Sequence, residues 1–129
     1  MSRIDELRKS LNVASVSFAP LKAGALVYED GKSFHIVLNS QLSDAKRLFA
    51  LLHEMGHLAL GILHKNPVEN HSMDEELEVN LWAINAFTEM YPTLNKDQLQ
   101  FAFQDGEQAG YEEVEKQANS LKFKIEDFV

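Results

Sequence analysis

The chain has no cysteine. That removes disulfides, thiol nucleophiles and cysteine-built zinc sites together, and it fits a reducing compartment. Basic residues are also scarce: 12 Lys and Arg stand against 20 Asp and Glu, for a formal net charge of −8. Nothing here neutralises a row of phosphates, which argues against direct nucleic-acid contact. Long apolar runs are missing too, since the longest is broken by His and Glu well short of a membrane span. The N-terminal "MSRIDELRKSL" carries Ile4, Leu7 and Leu11 on one stripe. It reads as an amphipathic helix and lacks the apolar core of a signal peptide. The expectation is a cytoplasmic protein with no membrane contact. There is no repeat, linker or low-complexity segment, and at 129 residues, 45% hydrophobic and 25% charged, residues 1–129 read as one domain.

What is present begins with β signals. Val13 to Phe18 alternates as a short strand that Pro20 closes. In "GALVYEDGKSFHIVLNS" two β-rich runs flank Asp30-Gly31, a dipeptide that favours a tight hairpin because both positions tolerate positive φ. Phe34, Ile36 and Leu38 share one face of the second strand, and His35, Val37 and Asn39 the other. His35 reads as a surface strand residue. Helices follow. Ser43 is an N-cap with Asp44 in the first turn of a long helix. Ser72-Met73-Asp74-Glu75 reads as a capping box opening another helix to about Met90, before Pro92. Further helices are expected from about Asn95 to Gln104 and from about Glu107 to Lys122. The acidic stretches "EEVEK" and "KIEDF" read as solvated helix faces with an apolar side packed inward.

The long helix contains "RLFALLHEMGHLALGIL", apolar almost all round except for His53, Glu54 and His57. Such a helix is central and buried, and a polar group buried without a partner costs about 1–3 kcal/mol. His53 and His57 are four residues apart, so on a helix their Cβ atoms lie roughly 5–6 Å apart on one face. That spacing lets both imidazoles reach one zinc ion. Glu54, turned to the flank, is badly placed as a ligand but well placed to take a proton from a water activated there. Gly56 costs roughly 1 kcal/mol against alanine inside a helix, which suggests a close approach to the backbone at that point.

A catalytic zinc needs three protein ligands. "SMDEELEVNLWAINAF" offers Glu75, Glu76 and Glu78. Glu76 shares an inward stripe with Val79, Asn80, Ala83 and Phe87, whereas Glu78 shares a wetter one with Trp82, Asn85 and Glu89. Glu75 is taken by the capping box. Glu76 is therefore the expected third ligand, with Glu78 the alternative, and Asn80 is placed to hydrogen-bond a ligand histidine.

"RLFALLHEMGHLAL" followed by "EELEVNLWA" resembles the ImmA/IrrE metallopeptidases, in which an HExxH helix precedes a helix carrying E-x-x-A-N-x-F-A. Here that pattern reads Glu76, Val79, Asn80, Trp82 and Ala83, and "IVLN" matches the strand before the family's catalytic helix. The resemblance covers about Gly24 to Phe87. It implies an α+β, zincin-like (gluzincin-like) fold: an N-terminal helix, a small antiparallel sheet with a hairpin, the HExxH helix, a second ligand-bearing helix and C-terminal helices. It further implies Zn²⁺ bound by His53, His57 and Glu76, with Glu54 as general base. The family cleaves or inactivates helix-turn-helix repressors, often of phages and mobile elements. Val79 and Trp82 replace that pattern's alanine and phenylalanine, and "NAFTEMYP" replaces its "LLMP" ending, which implies a differently shaped pocket wall.

The function expected from these residues is hydrolysis of a peptide bond in a protein substrate by a zinc metallopeptidase. An exposed edge of the sheet is expected to hold the substrate as an added strand. The alternative is a zinc-containing module that inactivates its partner by docking without cleavage. His64, His71 and Tyr91 are the weaker candidates for stabilising an oxyanion. Their plainer reading is two loop histidines and a helix-end tyrosine.

Overall fold

The computed structural model describes residues 3–61, 73–122 and 124–128. Its element order is α1 (Arg3–Ser10), β1 (Val13–Ala19), β2 (Ala25–Glu29), β3 (Phe34–Asn39), α2 (Asp44–Leu60), α3 (Met73–Met90), α4 (Lys96–Asp105) and α5 (Glu107–Ala118), with a 3₁₀ turn at Ile125–Asp127. The chain is thus α+β. No helix among the described residues is long and apolar enough to cross a membrane.

The apolar helix is the centre of the fold. Leu48, Phe49, Leu51, Leu52 and Met55 of α2 are fully buried, because the sheet covers one side of α2 while α3 and α5 cover others. Ser43 caps it, its hydroxyl accepting from the Lys46 N–H at 3.4 Å, and Gly61 ends it in the left-handed conformation (φ 69°). The Asp44 carboxylate accepts from the Ile125 N–H at 3.0 Å and from Arg47 at 3.0 Å, which ties the C-terminal turn back to the start of α2.

The sheet is mixed, not antiparallel as the sequence suggested. Its order is β1-β3-β2, with β2 antiparallel and β1 parallel to β3. The expected β2–β3 hairpin is present, but β3 then lies between β2 and β1, so the two earlier strands never pair. Alternation of apolar residues fixes which face of a strand is wet, not which strand lies beside it. The side chain of Asn39 holds this arrangement. Buried at the end of β3, it donates to the Leu21 and Ala23 carbonyls at 3.1 Å each and accepts from the Gln41 N–H at 3.0 Å. These bonds pin the β1–β2 connection across the end of β3.

Two smaller expectations also change. At the hairpin only Gly31 has positive φ (90°). Asp30 serves the turn through its side chain, accepting from the Lys32 and Ser33 N–H groups at 2.9 and 2.8 Å. The last helix stops at Ala118 instead of continuing to Lys122; Leu121 N–H turns back onto the Ala118 carbonyl at 2.8 Å. Ser72, of the expected capping box, lies outside the described residues.

Asn39→Ala should therefore cost about 1–3 kcal/mol, since it strands buried carbonyls. The expected result is a lower urea midpoint with an unchanged denaturant slope.

Candidate metal centre

His53 and His57 sit on consecutive turns of α2, both buried. Opposite them, α3 brings Glu76 and Asn80 onto the same spot. The close crossing depends on Gly56: a Cβ there would lie 3.1 Å from the Val79 side chain, 3.2 Å from the Trp82 ring and 3.2 Å from the Val79 carbonyl. A side chain there would be tight, and Val79 and Trp82 would have to give by a few tenths of an ångström to admit it. The expected inward stripe of α3 is buried at Val79, Asn80, Ala83 and Phe87, while Glu78 is exposed.

The donor atoms converge. His53 Nε2 lies 3.3 Å from Glu76 Oε2, His57 Nε2 lies 3.4 Å from Glu76 Oε1, and the two imidazole nitrogens are 3.2 Å apart. Three lone-pair-bearing groups at such range repel unless a proton or a cation lies among them. His53, His57 and Glu76 form a group that could hold a metal ion. Asn80 Oδ1 accepts from His53 Nδ1 at 2.8 Å, which places that ring's proton on Nδ1 and leaves Nε2 as the donor facing the site. The imidazoles are shielded, with side chains 8% exposed, whereas Glu76 is 36% exposed; access to the group is from its carboxylate side.

Burial disfavours protonation of His53, but the bond to Glu76, the charges of Glu54 and Glu76 and the Asn80 bond outweigh it and raise the imidazole pKa above its ordinary value. Glu54 is pushed up to about 7. Burial is the main cause; the charge of His53 pulls the value down, and those of Glu76 and Glu107 push it further up. A carboxyl balanced near neutrality can take and return a proton, as a general base must.

The surroundings of Glu54 include two residues that sequence reasoning missed. Glu107 and Tyr111 of α5 both lie close enough to feel the Glu54 charge, and Tyr111 feels Glu76 as well. The Tyr111 ring packs edge-on against Phe49, one turn before His53, at 5.5 Å, and burial raises its hydroxyl pKa. Lys22, Gly24, Leu42, Lys46, Glu107 and Tyr111 are among the residues that line an open cavity of about 490 Å³. No local signal marked these positions, because α5 reads as an ordinary amphipathic helix. Tyr91, by contrast, follows the far end of α3, roughly 20 Å along the helix from Glu76. It packs on Phe87 at 5.7 Å and lies near Asp127, so it is a helix-end tyrosine. His64 and His71 lie outside the described residues.

Comparison with protein-family models, with curated proteins and with solved structures finds no match to this chain.

Calorimetric titration of chelator-treated protein with Zn²⁺ or Co²⁺ should show one site per chain. His53→Ala and Glu76→Gln should each abolish or severely weaken it, and Asn80→Ala should weaken it by about 10–100-fold. Glu78→Gln should leave it unchanged. Loss of binding in Glu78→Gln but not in Glu76→Gln would show that α3 presents the other face.

Proposed function

We propose that this protein is a zinc-dependent endopeptidase of zincin-like architecture that hydrolyses a peptide bond in a protein substrate. One observation carries the reading. Two donors at 2.0–2.1 Å around a tetrahedral zinc lie about 3.3 Å apart; the two imidazole nitrogens here are 3.2 Å apart, and the Glu76 carboxylate spans both, Oε2 3.3 Å from His53 Nε2 and Oε1 3.4 Å from His57 Nε2. Two imidazoles and one carboxylate suit Zn²⁺ better than Ca²⁺ or Mg²⁺, which prefer six or more oxygens. They also leave a fourth position for substrate and water, the mark of a catalytic rather than a structural site.

Bound zinc would polarise the scissile carbonyl and acidify an attacking water. The chain's own residues supply the rest. Glu54, adjacent to His53 and turned toward α5, takes a proton from the water as its oxygen bonds to the carbonyl carbon. It returns that proton to the departing amine as the C–N bond breaks. Asn80 keeps His53 in the tautomer that faces the site. β2 is an edge strand, which supports docking of an extended substrate by main-chain hydrogen bonds. The resemblance to ImmA/IrrE metallopeptidases points to a helix-turn-helix repressor of a phage or mobile element as that substrate.

Zinc-loaded protein incubated with a proteome-derived peptide library should generate new N-termini detectable by mass spectrometry. Glu54→Gln should retain one zinc per chain and the parental melting temperature, while cleavage falls by about 10²–10⁴-fold. Equal cleavage by Glu54→Gln would overturn the role of the base. Absence of cleavage by the parent toward a bound repressor would favour a module that acts by docking.

A further inference from the structure

The outer face of the sheet carries a second cluster of reactive groups, on the side turned away from the core. Register fixes its rows. Ser15, His35 and Tyr28 lie side by side across the three strands, and Ser17, Val37 and Leu26 form the next row. The alternate residues Ile36 and Leu38 point the other way and are fully buried in the core. The cluster is therefore separated from the metal centre by the thickness of the sheet.

Ser15 and His35 of the first row and Asp30 of the adjoining turn form a continuous chain of hydrogen bonds. Ser15 Oγ lies 2.7 Å from His35 Nδ1, and His35 Nε2 lies 2.7 Å from Asp30 Oδ2. Asp30 can only accept when ionised, so Nε2 carries the imidazole proton and Nδ1 accepts from the serine hydroxyl. The carboxylate is itself fixed, because its other oxygen accepts from the Lys32 and Ser33 N–H groups at 2.9 and 2.8 Å. The His35 bond above all, and then these two N–H groups, hold the Asp30 pKa well below the ordinary carboxylate range. The imidazole plane is set by Tyr28, stacked on it at 4.9 Å and 17°.

A break in the strand register brings the serine into this row. β1 pairs Val13 with Phe34 but Ser15 with His35, so one extra residue, Ala14, is accommodated between them. Without that bulge, Ala14 would lie opposite His35 and the hydroxyl would face the core side. Bulges commonly re-aim side chains beside reactive sites. Next to the serine, Val37, Leu26 and Tyr28 present apolar surface, with Leu26 40% and Tyr28 50% exposed.

We propose that Ser15, His35 and Asp30 form a second reactive centre, in which a base-activated serine accepts the acyl group of an apolar ester laid along Val37 and Leu26. The Ser15 oxygen bonds to the ester carbonyl carbon while its proton passes to His35 Nδ1. The alkoxide leaves and takes that proton, and Asp30 stabilises the imidazolium in between. Water then repeats the transfer, releasing the carboxylic acid and restoring the hydroxyl. Asp30 acts as a positioning residue here, since it touches only the imidazole.

The test uses the full chain and an alkyl fluorophosphonate, whose phosphorus takes the place of the ester carbonyl carbon and whose fluoride leaves. It is run with and without 1,10-phenanthroline, so that any metal-dependent reaction is separated from this one. The expected result is one adduct per chain, mapped to Ser15 by peptide sequencing and unaffected by the chelator. p-Nitrophenyl butyrate should release nitrophenol by the same chelator-insensitive route. Ser15→Ala should remove both reactions, while Ser17→Ala, on the same face without a base, should leave them intact. His35→Gln should slow labelling by at least about a hundredfold. Asp30→Asn, which keeps the oxygen used by the turn, should slow it by about tenfold or more with an unchanged urea midpoint. No adduct at Ser15 under conditions that fully label trypsin would overturn the proposal, as would an adduct indifferent to both His35→Gln and Asp30→Asn. The row would then be a clamp for the hairpin.

Discussion

Two imidazoles and a carboxyl group inside an otherwise apolar helix set the condition that the rest of the fold must meet. His53 and His57 are buried in the middle of α2, so each needs a partner supplied by another element, while Glu54 beside them is only partly covered. α3 supplies Glu76 and Asn80 to the two histidines, and Gly56 eases the close approach of the two helices there. Val79 and Trp82 fill the space where a side chain at position 56 would stand. The helix crossing and the donor group are therefore one feature. Opening the crossing would separate the donors, and removing a donor would leave charge and lone pairs buried without compensation.

Glu54 belongs to a different neighbourhood from the histidines beside it. It turns toward α5, whose approach is set by an aromatic group around Phe49: Phe103 stacks on it at 4.6 Å, with Tyr111 at 5.5 Å and Phe87 at 6.0 Å meeting it edge-on. Gly110 lets α5 lie against Phe103, since a Cβ there would overlap that ring. Through this packing the low dielectric and the nearby acidic charges reach Glu54 and hold its pKa near neutrality. The acid–base property of one residue is thus a consequence of helix packing about half the chain away in sequence.

The sheet has two faces with separate chemistry. Its inner face, through Ile36 and Leu38, is part of the core against α2. Its outer face orders Ser15, His35 and Asp30 by strand register and by the turn, with no help from the helices. The same hairpin that gives α2 a wall gives the outer row its histidine.

The elements that local chemistry governs could be read from the residues alone. The N-cap at Ser43, the hairpin around Asp30-Gly31, the mostly apolar α2 and the i,i+4 histidines are each written in a few adjacent residues, because helix period, turn preference and capping act over short range. The inward facing of Glu76 and Asn80 was legible for the same reason: burial follows rotation about a helix axis, and the neighbouring Val79, Ala83 and Phe87 mark which side is dry. Which element lies beside which was settled by long-range packing. The parallel placement of β1 rests on the Asn39 side chain gripping a distant connection. The presence of Tyr111 and Glu107 beside Glu54 rests on aromatic packing between α2, α4 and α5. The meeting of Ser15 with His35 rests on a one-residue bulge that alternation cannot show. In each case the deciding interaction joins residues 16 to 62 positions apart, and no pattern within a single helix or strand carries that information.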